Sequence, residues 1–266
     1  MNINTDKSKG VPMMIKKITA VLTAVCCMLC FASCADKSEN SSDSGTVPAN
    51  ENSASENGVG DIVSPEEDSD EFDLGEYRVS ETGIKLYYDD SDIPTELMHT
   101  LENYFLTFQN GDFEGYKNII SPDYAERYNE YLITEYSESL ENNEKYDLED
   151  SFNSACNSIR MNMMYELSNT QDGETYTGDF TITRIRAERP ELDEGETIED
   201  RKKEFFSYLD EIFDMDYYQM VSDDMENLEY VTFYIIAKGE DGEEHKILND
   251  MGILFGLKDG VYYTFG

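Results

Sequence analysis

Residues 227–266 read NLEYVTFYIIAKGEDGEEHKILNDMGILFGLKDGVYYTFG. Three strand-like segments, NLEYVTFYIIAK, EEHKILNDMGILFGLK and GVYYTFG, are joined by the Gly-rich turns GEDGE and KDG. Short turns of this kind connect neighbouring antiparallel strands, so the chain is predicted to end in an antiparallel sheet. Further upstream ETYTGDFTITRIRA, residues 174–187, sets Tyr176, Phe180 and Ile182 against Thr177, Thr181 and Thr183. That period of two, rich in β-branched residues, predicts another strand.

Elsewhere the period is helical. Leu97, Leu101, Tyr104, Phe105 and Phe108 fall on one stripe that begins after SDIP and stops at Asn110 and Gly111, a start and stop pattern expected of a helix. Ser121 and Pro122 supply a cap and a first-turn proline, leading into Tyr124, Tyr128, Tyr131 and Leu132. A helix from about Leu148 to Leu167 is expected to turn Leu148, Phe152, Ala155, Ile159 and Met163 inward, and one from Ile198 to Phe213 to turn Phe205, Leu209 and Ile212 inward. The predicted fold class is therefore α+β, with N-terminal helices packed on one face of a curved antiparallel sheet.

The stretch LENYFLTFQNGDFEGYKNIISPDY, residues 101–124, resembles the nuclear-transport-factor-two-like superfamily, or cystatin-like cone, in three respects. It has an amphipathic first helix, a break at Gly111 and Asp112, and a turn at Ser121 and Pro122. The resemblance implies a cone-shaped pocket over residues 93 to 266. Members of the superfamily include isomerases, dehydratases, interaction modules and lipoproteins, so fold alone does not select a function.

At the other end of the chain, Lys16 and Lys17 precede the apolar run Ile18–Phe31, which is followed by the small residues Ala32 and Ser33. This is the anatomy of a secretion signal, and the run falls short of the roughly 20 apolar residues of a spanning helix. Phe31, Ala32, Ser33 and Cys34 resemble the lipobox of bacterial lipoproteins. That likeness implies cleavage before Cys34 and attachment of palmitate-type acyl chains through its sulfur, each buried methylene contributing about 0.8 kcal/mol to membrane binding. Cys26, Cys27 and Cys30 are read as apolar filler. Met14 would make a more typical start of such a signal than Met1.

From Ala35 to Gly75 the chain is Ser-, Asn-, Asp- and Glu-rich with Lys37 as its sole base, a composition expected to stay disordered. The organisation expected is thus a signal peptide (1–33), a lipidated acidic tether (34–75) and an α+β cone-like domain (76–266). After cleavage Cys156 is the remaining cysteine, so no intramolecular disulfide is expected, and its helical setting beside Phe152 and Ile159 reads as a buried, inert thiol.

A net charge of -38, from 58 acidic and 20 basic residues, argues against nucleic-acid binding, which needs cations to displace counterions. It equally leaves membrane attachment to the lipid on Cys34. No phosphate loop, zinc spacing or nucleophile elbow is found, and no cofactor or metal is expected. His99 and His245 are read as solvated or half-buried and outside any dyad. The acidic runs Asp89–Asp92 and Glu66–Asp73 lack the glycine and bidentate glutamate of a calcium loop and are read as solvated. The nineteen tyrosines are assigned to core use rather than to glycan stacking.

Against this acidic background, Arg184, Arg186, Arg189, Arg201, Lys202 and Lys203 cluster. Arg184 and Arg186 are expected to share a strand face with Phe180 and Ile182 and are the candidate contacts for a carboxylate or phosphate, unless the protein's own acids pair with them. The expected function is a lipid-anchored extracytoplasmic binding or interaction module for a small ligand or an envelope protein. The alternatives are a small-molecule acid–base enzyme, for which His245, Asn249 or Asp250 would have to enter an enclosed pocket, and a structural envelope protein with a flat apolar patch.

Overall fold

The computed structural model describes residues 59–64, 75–140, 145–170 and 174–266. The segment read as a signal peptide, Cys34, the acidic run Glu66–Asp73 and most of the stretch read as tether lie outside the described residues.

Helix α1, Thr95–Asn110, forms where the apolar stripe predicts it and buries Leu97, Met98, Leu101, Tyr104, Phe105 and Phe108. It stops at Gly111, whose φ of 65° places it in the left-handed region that glycine enters without a Cβ penalty. Asp112 then caps α2, Phe113–Ile119, by accepting from the Gly115 amide at 2.9 Å, which satisfies one of the free donors of the first turn. Helix α3, Pro122–Tyr131, starts with proline at the expected position. Ser121 sits at its cap, but its hydroxyl makes no capping bond; its amide instead donates to the Thr264 carbonyl at 2.8 Å. A π-turn, Leu132–Tyr136, prolongs α3.

Helix α4 spans Leu148–Thr170. Leu148, Phe152, Ile159 and Met163 are buried as expected, whereas the stripe passes through Cys156 rather than Ala155. Helix α5, Ile198–Phe213, opens with a reciprocal capping box between Thr197 and Asp200. It buries Phe206 and Leu209, while Phe205 and Ile212 are only partly covered. Helix α6, Tyr217–Asp224, capped by Asp216, was not foreseen from the sequence.

Among the described residues seven strands form one sheet in chain order: β1 Val59–Val63, β2 Tyr77–Ser80, β3 Lys85–Tyr87, β4 Thr181–Glu188, β5 Asn227–Lys238, β6 Glu244–Lys258 and β7 Val261–Thr264. The fold is α+β. Two features depart from the expectation. The sheet is mixed, because β3 and β4 run parallel (Leu86 beside Ile185) while every other neighbouring pair is antiparallel. It also begins earlier, with β1 lying inside the stretch read as tether and pairing with β2.

Alternation along β4 and β5 divides the sheet into two faces. Ile185, Ala187, Phe233 and Ile235 lie on the face covered by α1, where the Phe105 and Phe233 rings are 4.8 Å apart. Tyr230, Thr232, Tyr234 and Ile236 point the other way and are partly exposed. Helix α5 reaches that second face only at the Tyr230 end, with Phe205 at 6.3 Å from its ring. Burying each large apolar side chain of the covered face contributes about 1.5–3 kcal/mol.

Candidate functional site

The uncovered part of the second face is a groove of about 240 Å³ lined by Tyr87, Arg184, Arg186, Glu188, Tyr234, Ile236 and Lys246. Its position depends on an irregularity in β4. The register shifts between Ile182 and Arg184, with Ile182 beside Ala237 and Arg184 beside Ile236. One extra residue inverts the alternation that follows it. Ile182 therefore faces the core, while Arg184 and Arg186 face the groove. This corrects the expectation that the arginines share a face with Phe180 and Ile182.

Arg184 donates from Nη2 to Glu244 Oε2 at 2.7 Å. Arg186 reaches Glu188 Oε2 through Nη2 at 2.9 Å and Nε at 3.0 Å. Both arginines thus have a carboxylate of the protein itself as partner. Tyr234 lies at the centre: Lys246 Nζ is 5.1 Å and Arg186 Cζ 5.9 Å from its ring centroid, within the range in which a cation is drawn to the aromatic face. The Tyr234 hydroxyl donates to Glu188 Oε1 at 3.2 Å. Burial, reinforced by Glu188, pushes this phenol up to about 12, so it is a neutral donor at ordinary pH. Arg184, Arg186 and Lys246 meet Glu188 and Glu244 here, and Asp250 also acts on the Tyr234 phenol. Three cations thus gather in one groove of a chain whose net charge is -38.

The remaining candidates lie elsewhere. His245 is buried, not solvated, and its Nε2 is 2.8 Å from Asp241 Oδ2, with both side chains nearly inaccessible. Asp241 also accepts from the Glu243 amide at 3.0 Å. The pair therefore fastens the β5–β6 turn, and neither residue lines the groove. Asn249 and Asp250 are exposed, Asp250 with a φ of 52°, next to the point where the β5–β6 register shifts. His99 is half-buried on α1 and 3.4 Å from Glu102 Oε2. Both histidines therefore have a carboxylate partner, contrary to the reading that placed them outside any dyad.

Glu102 is inaccessible. It accepts from Ser80 Oγ at 2.6 Å and from Thr82 Oγ1, both at the β2–β3 turn. Burial alone would raise its carboxyl, but His99, Ser80 and Thr82 together hold it below the usual range. Its carboxylate in turn raises His99.

Asp89 accepts from the Ser91 amide and hydroxyl, Asp90 pairs with Arg78, and Asp92 pairs with Arg189 at 3.3 Å. These three carboxylates therefore serve three different partners. Among the described residues no group of three or more His, Cys, Asp or Glu side chains is placed to hold a metal ion. Cys156 is buried, and burial pushes its thiol up, away from the reactive thiolate. Among the described residues no helix is long and apolar enough to cross a membrane.

Sequence reasoning found Arg184 and Arg186 but missed Glu188, Tyr234, Glu244 and Lys246. Tyr234 and Lys246 become neighbours of the arginines only through strand register, and the spacing along the chain carries no trace of that. No protein family, no curated protein and no solved structure matches this chain.

Proposed function

We propose that the chain is a lipid-anchored extracytoplasmic binding module, held to the membrane through Cys34, whose ligand site is the groove between β3 and β6. The ligand class is a small organic anion, a carboxylate or a phosphate. The observation that carries this reading is the convergence of Arg186 and Lys246 on Tyr234, with Arg184 lining the same groove, within a strongly acidic chain. Arginine forks suit planar oxyanions, and a concave site with a few convergent polar groups is the usual form of a small-ligand pocket. An incoming anion would take over arginine donors now shared with Glu188 and Glu244. The likeness to the cone-shaped superfamily belongs to this reading, supported by the Gly111 stop and the Asp112 cap that follow α1.

The test is thermal melting of the full-length chain against a series of small carboxylates and inorganic phosphate. A ligand at about 100 times its dissociation constant stabilises by roughly 2.7 kcal/mol. The shift should appear with the native chain and vanish in Arg184→Gln/Arg186→Gln; a shift that survives both substitutions rejects the groove as the site. Anchoring is checked separately: label from radioactive palmitate should enter the native chain and be lost in Cys34→Ala.

A further inference from the structure

The groove does not end at Arg186. A second hollow of about 480 Å³ adjoins it and shares Tyr87, Arg186 and Glu188 as walls. Glu76, Tyr77, Tyr88, Asp89 and Asp90 are among its further lining residues. The two hollows differ in sign. The first gathers Arg184, Arg186 and Lys246 against Glu188; the second gathers Glu76, Asp89, Asp90 and Glu188 against Arg78 and Arg186. Acidic residues are common in this chain and would mean little alone. Here they line a hollow that shares three walls with the cationic groove, and the two together make a tyrosine-lined trough whose ends are opposite in sign. A simple anion would use only the cationic end and be repelled from the other.

We propose that the trough binds a short peptide with both termini free. Its carboxylate lies at Arg186 and Lys246 over Tyr234, and its ammonium lies among Asp89, Asp90 and Tyr88. Lys85 Nζ already sits 5.0 Å from the Tyr77 ring centroid, and Asp90 would share its charge with Arg78. This deepens the reading of the groove as a small-anion site and rests on it. The span selects the class. Tyr87 is level with Arg186 and Tyr234 across the sheet, so Asp89, two residues beyond Tyr87, lies two strands across and two residues along from Tyr234, over which Lys246 Nζ sits. At about 4.8 Å per strand and about 3.3 Å per residue that is about 12 Å. An extended chain covers about 3.4 Å per residue, so about four residues bridge the two ends. A single amino acid or a phosphocholine headgroup keeps its charges too close together to reach both. Capture of peptide termini by fixed charges is a known recognition mode, and an ammonium is also drawn to tyrosine faces.

The experiment is calorimetric titration of the full-length chain with tetra-alanine, its N-acetylated form and its C-amidated form. Each block should weaken binding at least about tenfold, the loss expected when one charge-assisted contact worth about 1.5 kcal/mol is removed. In Asp89→Asn/Asp90→Asn the penalty for acetylation should disappear while that for amidation remains. Arg186→Gln/Lys246→Gln should do the reverse. If only amidation weakens binding, the peptide proposal falls and the anion groove stands. If no tetrapeptide binds while small carboxylates shift the melting temperature, the outcome is the same. If neither peptides nor carboxylates bind, both readings fall together.

Discussion

The two faces of β4 and β5 are built from alternate residues of the same two strands, yet they serve opposite ends. On one side Ile185, Ala187, Phe233 and Ile235 are sealed beneath α1. On the other Arg184, Arg186, Glu188, Tyr234 and Ile236 stay half-open, and the two arginines pair with carboxylates of the strands, Glu244 and Glu188. The contrast shows that a strand can be core and binding surface at once, provided its register is fixed. A single extra residue before Arg184 decides which side the arginines occupy.

The strongest way to break the contrast is to remove an anchor of the closed side. Phe105→Ala should lower the free energy of unfolding by about 3–5 kcal/mol, read from urea titration, because the ring leaves a cavity between Phe233, Tyr104 and Phe108. Next is Glu102→Ala, which strips the β2–β3 turn of the acceptor for Ser80 and Thr82. About 2 kcal/mol is expected from loss of hydrogen bonds to a charged group.

The same pair predicts a pH profile for the native chain. His99 is raised, so its contribution is complete below its ordinary 6.5 and is lost as pH climbs through the higher folded value. Glu102 is lowered, so its contribution is complete above its ordinary 4.5 and is lost as pH falls through the lower folded value. Melting temperature should therefore carry a component that is greatest between those limits, and Glu102→Ala should flatten it. The smallest effect belongs to the open side. Arg184→Gln/Arg186→Gln should change unfolding free energy by no more than about 1 kcal/mol, since partly exposed ion pairs contribute little. A loss comparable to that of Phe105→Ala would mean that the open face is structural after all.

What could be read from the sequence follows the range of the interactions. Helix α1 was legible because its stripe and its stop at Asn110 and Gly111 lie within a few turns of each other. His99 and Glu102 were also legible in principle, since residues three apart share a helix face. The short strands β2 and β3 were not, because three or four residues show too little alternation to separate strand from loop. The position of Arg184 was misread because a bulge is set by the partner strand, here β5, and leaves the chain's own alternation unmarked. Cys156, read as buried beside Phe152 and Ile159, is buried, whereas Ala155, also read as inward, is only partly covered. Of the site, the arginines stood out by charge, whereas Tyr234 and Lys246 needed the register of three strands.

The parallel pairing of β3 with β4 has a consequence for how the chain acquires its shape. Lys85 and Arg184 are neighbours in the sheet but about a hundred residues apart in sequence, and closing so distant a contact must await the ordering of what lies between. Helices α1 to α4 can begin to form on local hydrogen bonds, but α1 packs on β4 and α4 on β6, so their buried faces are completed late. Among the described residues β2 and β3 have no sheet partner beyond each other and β1 until β4 has left the ribosome. The assembly of the groove, which takes Tyr87 from β3 and the rest of its walls from β4, β5 and β6, is consequently a late event, and a chain cut short before β4 would lack both the binding surface and the strands on which α1 and α4 pack.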